Sequence, residues 1–172
     1  MIAFTYMIEK TMKVMEIFLM ILMSVMVIAV VWQVFTRFVI NSPSTFTDEL
    51  SRYLMIWVGI FGGAYTFAIK RHLALEMLMP KLNEKNQHWL HIFINLLVIL
   101  FSYTVLVYGG SSIVNATLAY NQISPSLTLF GNEIPVGYIY LVSPISGSLM
   151  ILFGVYDIAK SFESITLIKK GQ

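Results

Sequence analysis

Long stretches without a charged residue are the feature that most limits how this chain can fold. Uncharged, mainly apolar runs occupy 17–36, 53–69, 92–132 and 134–156. A helix needs about 20 residues to cross a hydrocarbon core of about 30 Å, so each run is long enough, or nearly long enough, for one crossing. Only 12% of the residues are charged, too few to cover a water-soluble surface. We therefore predict an integral membrane protein and exclude soluble and nucleic-acid-binding domains.

The run at 92–132 is too long for one crossing, and its second half is rich in turn-forming residues. That half opens with Gly109 and Gly110, so we predict that the third helix ends near Gly109. The predicted fold class is an all-α membrane protein with a single domain over residues 1–172. Its four spans are expected at about 14–36, 50–69, 89–109 and 134–158.

Two connecting loops are predicted to contain short interfacial helices. In the first loop, Thr45 can cap a helix that leads into the second span. Asp48 and Glu49 then lie in its first turn, where the helix dipole favours acids, and Arg52 can pair with both. In the second loop, 73–82 carries an apolar stripe that is typical of a helix lying in the membrane interface.

Lys and Arg are distributed unevenly between the loops. The first loop contains only Arg37 and Arg52, and the third contains none. The other nine lie in the two tails and the second loop: Lys10, Lys13, Lys70, Arg71, Lys81, Lys85, Lys160, Lys169 and Lys170. The positive-inside rule therefore places both tails and the second loop in the cytoplasm.

The spans carry little that points to chemistry. No ionisable residue, the usual mark of an ion path, lies in the middle of a predicted span, and Gln33 and Asn95 are typical of hydrogen bonds between helices. The histidines His72, His88 and His91 do not place two haem ligands at matching depth on different spans. We predict a chain that is not an enzyme, with no catalytic, substrate-binding or metal site and no cofactor. A membrane anchor of a redox enzyme and an orphan four-helix membrane enzyme remain as alternatives.

Small residues form two stripes at helical spacing. Gly59 and Gly63 make a G-x-x-x-G pattern with Gly62 beside it, and Ser143 with Gly147 makes a second pair. Such stripes let two helix backbones approach closely. Packing among the chain's own spans and packing against a partner protein both fit the pattern.

Three segments are specific enough to point to a family. They read Trp32-Gln33-Val-Phe-Thr-Arg37, then Phe46-Thr-Asp48-Glu49-Leu-Ser-Arg52, then Lys70-Arg71-His72-Leu-Ala-Leu-Glu76. In order and spacing they resemble the small membrane subunit (DctQ type) of tripartite ATP-independent periplasmic (TRAP) transporters. The chain departs from the family pattern mildly, with Phe46 in place of a frequent Trp, Asp48 in place of Glu, Arg71 in place of Gly and Glu76 in place of Asp.

This resemblance implies a multi-pass protein of the bacterial inner membrane without a catalytic role. The small subunit would anchor a large membrane subunit (DctM type) and help dock a periplasmic substrate-binding protein (DctP type). The system would take up an organic acid of dicarboxylate or sialic acid type, with sodium ions held by the large subunit. Overall likeness is to the sialic acid systems.

The resemblance also supplies candidate contact residues. For the interface with the large subunit or the binding protein they are Trp32, Gln33, Arg37, Phe46, Asp48, Glu49 and Arg52. The cytoplasmic motif is Arg71, His72 and Glu76.

Overall fold

The computed structural model describes residues 2–69, 84–129 and 132–170, which are mostly helical. In chain order the elements are α1 (Ile2–Phe38), α2 (Thr45–Ala68), α3 (Glu84–Phe101), a π-helical segment (Ser102–Gly109), α4 (Gly110–Ala119), β1 (Ile123–Leu129), β2 (Asn132–Pro135), α5 (Gly137–Tyr140) and α6 (Val142–Lys170). The segment α3, the π-helical segment and α4 follow one another without interruption, and we refer to them together as the composite helix.

The long helices form one antiparallel bundle with two distinct ends. At one end the side chain of Gln33 on α1 meets Asp48 on α2, and β1 packs beside them; this is the hairpin end. At the opposite end, which we call the far end, the hydroxyl oxygens of Thr5 on α1 and Tyr156 on α6 lie 3.1 Å apart. The start of α1 and the later part of α6 therefore lie at the same end of the bundle.

The core of the bundle lies where α2 packs between α1 and α6. Its buried members are Ile8, Met15, Phe61, Ala64, Phe67, Val142 and Phe153. The composite helix packs on α6 from the other side. Much of α1 is left exposed by the chain itself, as Ile28 (68% exposed) illustrates, and such an apolar surface is stable when lipid or another membrane protein covers it.

Three of the described helices are long and apolar enough to cross a membrane, namely Phe4–Phe38, Gln87–Ala119 and Gly137–Thr166. The helical membrane class is thus supported. Helix α2 has 24 residues and is about 36 Å long, but polar side chains occupy its first two turns. The fourth crossing by α2 and the location of the tails stay predictions.

The prediction that the third helix ends near Gly109 was wrong. The composite helix continues to Ala119, and Gly110 is buried within it. A Cβ atom at Gly110 would lie 2.5 Å from Oγ of Ser143. This glycine permits close contact between two helices and does not start a turn.

The third loop is also more ordered than an all-α fold predicts. Strands β1 and β2 form an antiparallel hairpin in which Thr128 pairs with Glu133 and Leu129 with Asn132. The described residues are therefore helical with one small two-stranded sheet, which connects the composite helix to α5.

Several predicted boundaries differ from the structure. Helix α1 extends on both sides of 14–36, and α6 begins at Val142 instead of 134 and continues past 158. Pro144 lies in the first turn of α6, where its missing N–H breaks no helical hydrogen bond.

The short helix predicted in the first loop is the beginning of α2. Its N-cap is Ser44 and not the predicted Thr45, because the Ser44 side chain accepts a hydrogen bond from the Thr47 N–H. The helix predicted at 73–82 lies outside the described residues.

Candidate interaction site at the hairpin end

Asp48 connects α2 to α1. Its Oδ1 accepts a hydrogen bond from Nε2 of Gln33, and its Oδ2 lies 2.8 Å from a guanidinium nitrogen of Arg52, one turn further along α2. The side chains of Arg52 and Asp48 are 67% and 45% exposed, so this ion pair is largely hydrated. Exposed pairs contribute about 0–1 kcal/mol to stability, and the Gln33 contact adds an interhelical hydrogen bond.

Glu49 connects α2 to the hairpin. It is only 6% exposed, and both of its carboxylate oxygens are occupied. Oε1 accepts from the Tyr53 hydroxyl at 2.8 Å, and Oε2 accepts from the backbone N–H of Ser126 at 2.8 Å. The fully buried Ser124 lies close by on the same strand.

The surroundings of Glu49 favour its charged form. Burial raises the pKa of this carboxyl group, but hydrogen bonds from Ser124, Tyr53 and Ser126 together outweigh burial, so the pKa lies below its ordinary value. Glu49 precedes the predicted second span and sits where the partial positive charge of the α2 N-terminus also favours an anion.

The two neighbouring acids therefore serve different segments of the chain. The sequence predicts that Arg52 can pair with both Asp48 and Glu49, and in the described residues Arg52 forms an ion pair with Asp48. Consecutive side chains on a helix point about 100° apart, and this rotation turns Glu49 towards β1.

The remaining candidate contact residues of this end are exposed. Trp32 is 49% exposed and its ring lies beside that of Phe35, with centroids 5.8 Å apart. The guanidinium of Arg37 lies 5.9 Å from the centre of the Phe38 ring, and Phe46 is 44% exposed. These side chains are accessible to a partner or to lipid headgroups, and their contact role stays a prediction.

The two small-residue stripes have different surroundings. A Cβ atom on Gly59 or Gly63 would meet nothing within 4 Å, whereas one on Gly62 would touch a side-chain carbon of Leu19 at 3.8 Å. A Cβ atom on Gly147 would lie 2.7 Å from Cβ of Leu106. Gly59 and Gly63 therefore form an open strip on α2.

The stripe that contains Ser143 and Gly147 forms the contact between α6 and the composite helix. The Ser143 hydroxyl donates to the carbonyl oxygen of Leu106 in the π-helical segment at 3.1 Å. Such a bond satisfies a carbonyl in a region where water is scarce.

Two of the three histidines, His88 and His91, lie at the far end of the bundle. His88 and His91 line a cavity of about 140 Å³ with Asp157 and Lys160. Within the described ranges, no group of three or more His, Cys, Asp and Glu side chains is placed to hold a metal ion. The motif residues Arg71, His72 and Glu76 lie outside the described residues.

Sequence reasoning missed the partners of Glu49. Ser124 and Ser126 stand in a Ser-Pro-Ser segment that reads as a turn, and no local pattern links it to a glutamate 77 residues earlier. Gly110 and Gly154 were also missed as packing residues, although both permit close contact with a neighbouring helix.

These features define a helical membrane protein whose organised polar groups hold segments together. Comparison with known proteins gives the family. The model of "Tripartite ATP-independent periplasmic transporters, DctQ component" matches residues 26–164. The chain belongs to this family and is therefore a transport component, not an enzyme. The predicted family and the prediction that the chain is not an enzyme are both confirmed.

Two relatives illustrate the relationship. A putative TRAP transporter small permease protein of Haemophilus influenzae is 27% identical over 160 residues, which cover 93% of this chain and 92% of the relative. The sialic acid TRAP transporter small permease protein SiaQ of Vibrio cholerae serotype O1 is 26% identical over 128 residues, covering 74% of each chain.

Proposed function

We propose that this chain is the non-catalytic subunit that anchors the large membrane subunit of a TRAP transporter and helps dock its periplasmic substrate-binding protein. The observation that carries the proposal is the family match over residues 26–164. The hairpin end supports it, because polar bonds join α1, α2 and β1 there into one surface. Bonds already made within the chain suit a docking role, since they reduce the ordering needed on binding.

The proposed orientation puts the hairpin end in the periplasm and the far end in the cytoplasm of the bacterial inner membrane. The bias of Lys and Arg towards the tails and the second loop supports it. The contact between Thr5 and Tyr156 also supports it, because an even number of crossings brings both ends of the chain to the same side.

The open strip of Gly59 and Gly63 is the surface we propose for the large subunit. A Cβ atom at either position would meet nothing of the described chain within 4 Å, so a foreign helix can approach the α2 backbone there. In lipid, close backbone packing is a main source of association between helices. The exposed apolar side of α1 beside it would extend this contact.

We propose an organic acid of sialic acid or dicarboxylate type as the transported substrate, with sodium ions bound by the large subunit. The similarity to the sialic acid TRAP small permease protein of Vibrio cholerae supports the sialic acid type. The substrate and the ions would bind in the partner proteins.

Reconstitution of the complete system in liposomes tests the proposed function. We expect sodium-dependent uptake of an organic acid when this chain, the large subunit and the binding protein are all present. Each omission should abolish concentrative uptake. Uptake by this chain alone, or full uptake without it, would contradict the proposal.

A further inference from the structure

The outer hairpin, formed by β1 (Ile123–Leu129) and β2 (Asn132–Pro135), is attached to the helices by polar contacts at its base and at its side. Its base is closed by a bond from the Val136 N–H to the Gln122 carbonyl oxygen at 2.9 Å. Its side is attached to α2 through Glu49. Because two-stranded hairpins are only marginally stable on their own, such attachments decide where the hairpin lies.

An irregularity in β1 leaves a backbone donor that binds the Glu49 carboxylate. The pairing of β1 with β2 shifts register between Ile123 and Thr128, so the intervening residues lack regular partners. Ser126 lies in this stretch, and its N–H donates to Glu49 Oε2. Glu49 thus supplies the acceptor that a neighbouring strand would otherwise supply, and a buried N–H without any acceptor is costly.

A second bond organises the same stretch. The hydroxyl oxygen of the fully buried Ser124 accepts from the N–H of Leu127 at 3.3 Å. Leu127 is itself buried, at 8% exposed. The irregular part of β1 is therefore packed inwards, while Thr128 and Glu133 of the same hairpin are exposed.

We propose that Glu49 is a positioning residue: its carboxylate fixes the outer hairpin against the first turns of α2 and so holds in place a surface that uptake requires. The second half of this statement rests on the proposed function. Glu49 does not touch a partner protein itself, because it is buried and both carboxylate oxygens are bonded within the chain. Asp48 and Arg52, which are more exposed, are the charges available for direct contact.

The position of the hairpin can be measured directly because the natural chain contains no cysteine. Spin labels on Thr128→Cys in the hairpin and Met55→Cys on the exposed side of α2 report the distance between the two elements in the full chain in lipid nanodiscs. We expect one narrow distance distribution with Glu49 present. Glu49→Ala should broaden it and raise the detached fraction at least about fivefold, since it leaves the Ser126 N–H and the Tyr53 hydroxyl without their acceptor.

Milder variants and a matched control keep the measurement informative if Glu49→Ala folds poorly. Glu49→Gln retains one oxygen that can accept from Ser126 and should give an intermediate distribution. Glu133→Gln makes the same chemical change at an exposed position of the hairpin and should leave the distribution unchanged. A distribution that stays narrow in both Glu49 variants would overturn the proposal.

A cross-link separates positioning from direct contact. In the double variant Glu49→Cys, Ser126→Cys, a short bifunctional thiol-reactive reagent (a bis-methanethiosulfonate) forms a disulfide with each cysteine, releases its two sulfinate groups, and reattaches the hairpin without restoring the carboxylate. Uptake by the complete transporter should fall at least about fivefold before cross-linking and recover after it. Glu49→Cys alone should lose uptake and not recover it, and Ser126→Cys alone, which keeps the Glu49 carboxylate and the backbone N–H, should keep its uptake. Failure to recover, with the hairpin shown to be reattached, would overturn the positioning role. If the wild-type system shows no uptake at all, the proposed function fails, and the distance measurement still decides the attachment.

Discussion

At the scale of single residues, the neighbouring carboxylates Asp48 and Glu49 reach different segments. Asp48 reaches back to Gln33 on α1, and Glu49 reaches forward to Ser126 on β1. One turn of α2 thereby joins two segments that are far apart in the sequence.

The buried carboxylate makes attachment of the hairpin sensitive to acid. Since the pKa of Glu49 lies below its ordinary value in the folded chain, its contribution is present above that ordinary value and is lost as the pH falls through the lowered pKa. We expect the distribution of distances between spin labels at positions 128 and 55 to stay constant near neutral pH and to broaden only at a pH below the ordinary pKa of a glutamate. Asp48→Asn should retain this transition and Glu49→Gln should abolish it. Persistence of the transition in Glu49→Gln would contradict the assignment.

The exposed ion pair should behave differently from Glu49. Arg52→Glu is expected to change the free energy of unfolding by only about 0–1 kcal/mol, because the pair is hydrated. We nevertheless expect it to lower uptake at normal abundance of the complex, and Asp48→Arg in the same chain should not restore uptake. The measurement is uptake over a range of salt concentrations, since screening weakens an exposed docking contact. Near wild-type uptake by both Arg37→Glu and Arg52→Glu at low and moderate salt would exclude a contact role.

At the scale of elements, two kinds of small-residue stripe have different consequences. The stripe on α6 is filled by the composite helix, and the open strip on α2 is not filled by this chain. The same sequence pattern thus contributes to internal packing in one place and leaves a surface in another. The two stripes differ in whether another helix of this chain faces them, and a short sequence motif carries no information about the facing helix.

Leucine substitutions should separate these two roles. We expect Gly147→Leu to destabilise the chain by about 1–3 kcal/mol or more, because its side chain would enter space held by Leu106 and Val107. Gly63→Leu should leave the isolated chain stable but weaken its co-purification with the large subunit. Thermal unfolding in detergent and affinity co-purification measure the two effects. If Gly59→Leu combined with Gly63→Leu left co-purification unchanged, the open strip would face lipid.

Sequence patterns predicted the helices well and the connection between the last two long helices poorly. Uncharged runs mark helices because lipid requires every backbone group to be bonded within its own segment. Gly109 and Gly110 were read as a helix end, yet the helix passes through them, since a glycine that permits close packing looks the same in sequence as one that begins a turn. The hairpin was missed because Glu49, a distant residue, supplies one of its bonds.

At the scale of the whole molecule, α2 determines the topology. By composition, α2 is less apolar than the three described helices that qualify as membrane crossings. It nevertheless runs antiparallel to α1 along the bundle. Its polar residues gather in the first two turns, and the remainder up to Ala68 is uncharged. An end-weighted distribution of charge is compatible with crossing, because those turns can lie at the membrane surface.

The number of membrane crossings depends on whether α2 spans the bilayer, and cysteine labelling can measure it. If α2 crosses the membrane, the chain has four crossings, and Tyr6 and Ser164 lie on the same side; if α2 does not cross, three crossings separate them. Single variants Tyr6→Cys, Ser164→Cys and Thr128→Cys in the cysteine-free chain can be tested with a membrane-impermeant maleimide in intact spheroplasts. We expect labelling of Thr128→Cys without permeabilisation, and labelling of the other two only after it, since the positive-inside rule keeps the Lys-rich tails in the cytoplasm. Labelling of Tyr6→Cys and Ser164→Cys from opposite sides would show that α2 does not span the bilayer, and labelling of both from outside would reverse the proposed orientation.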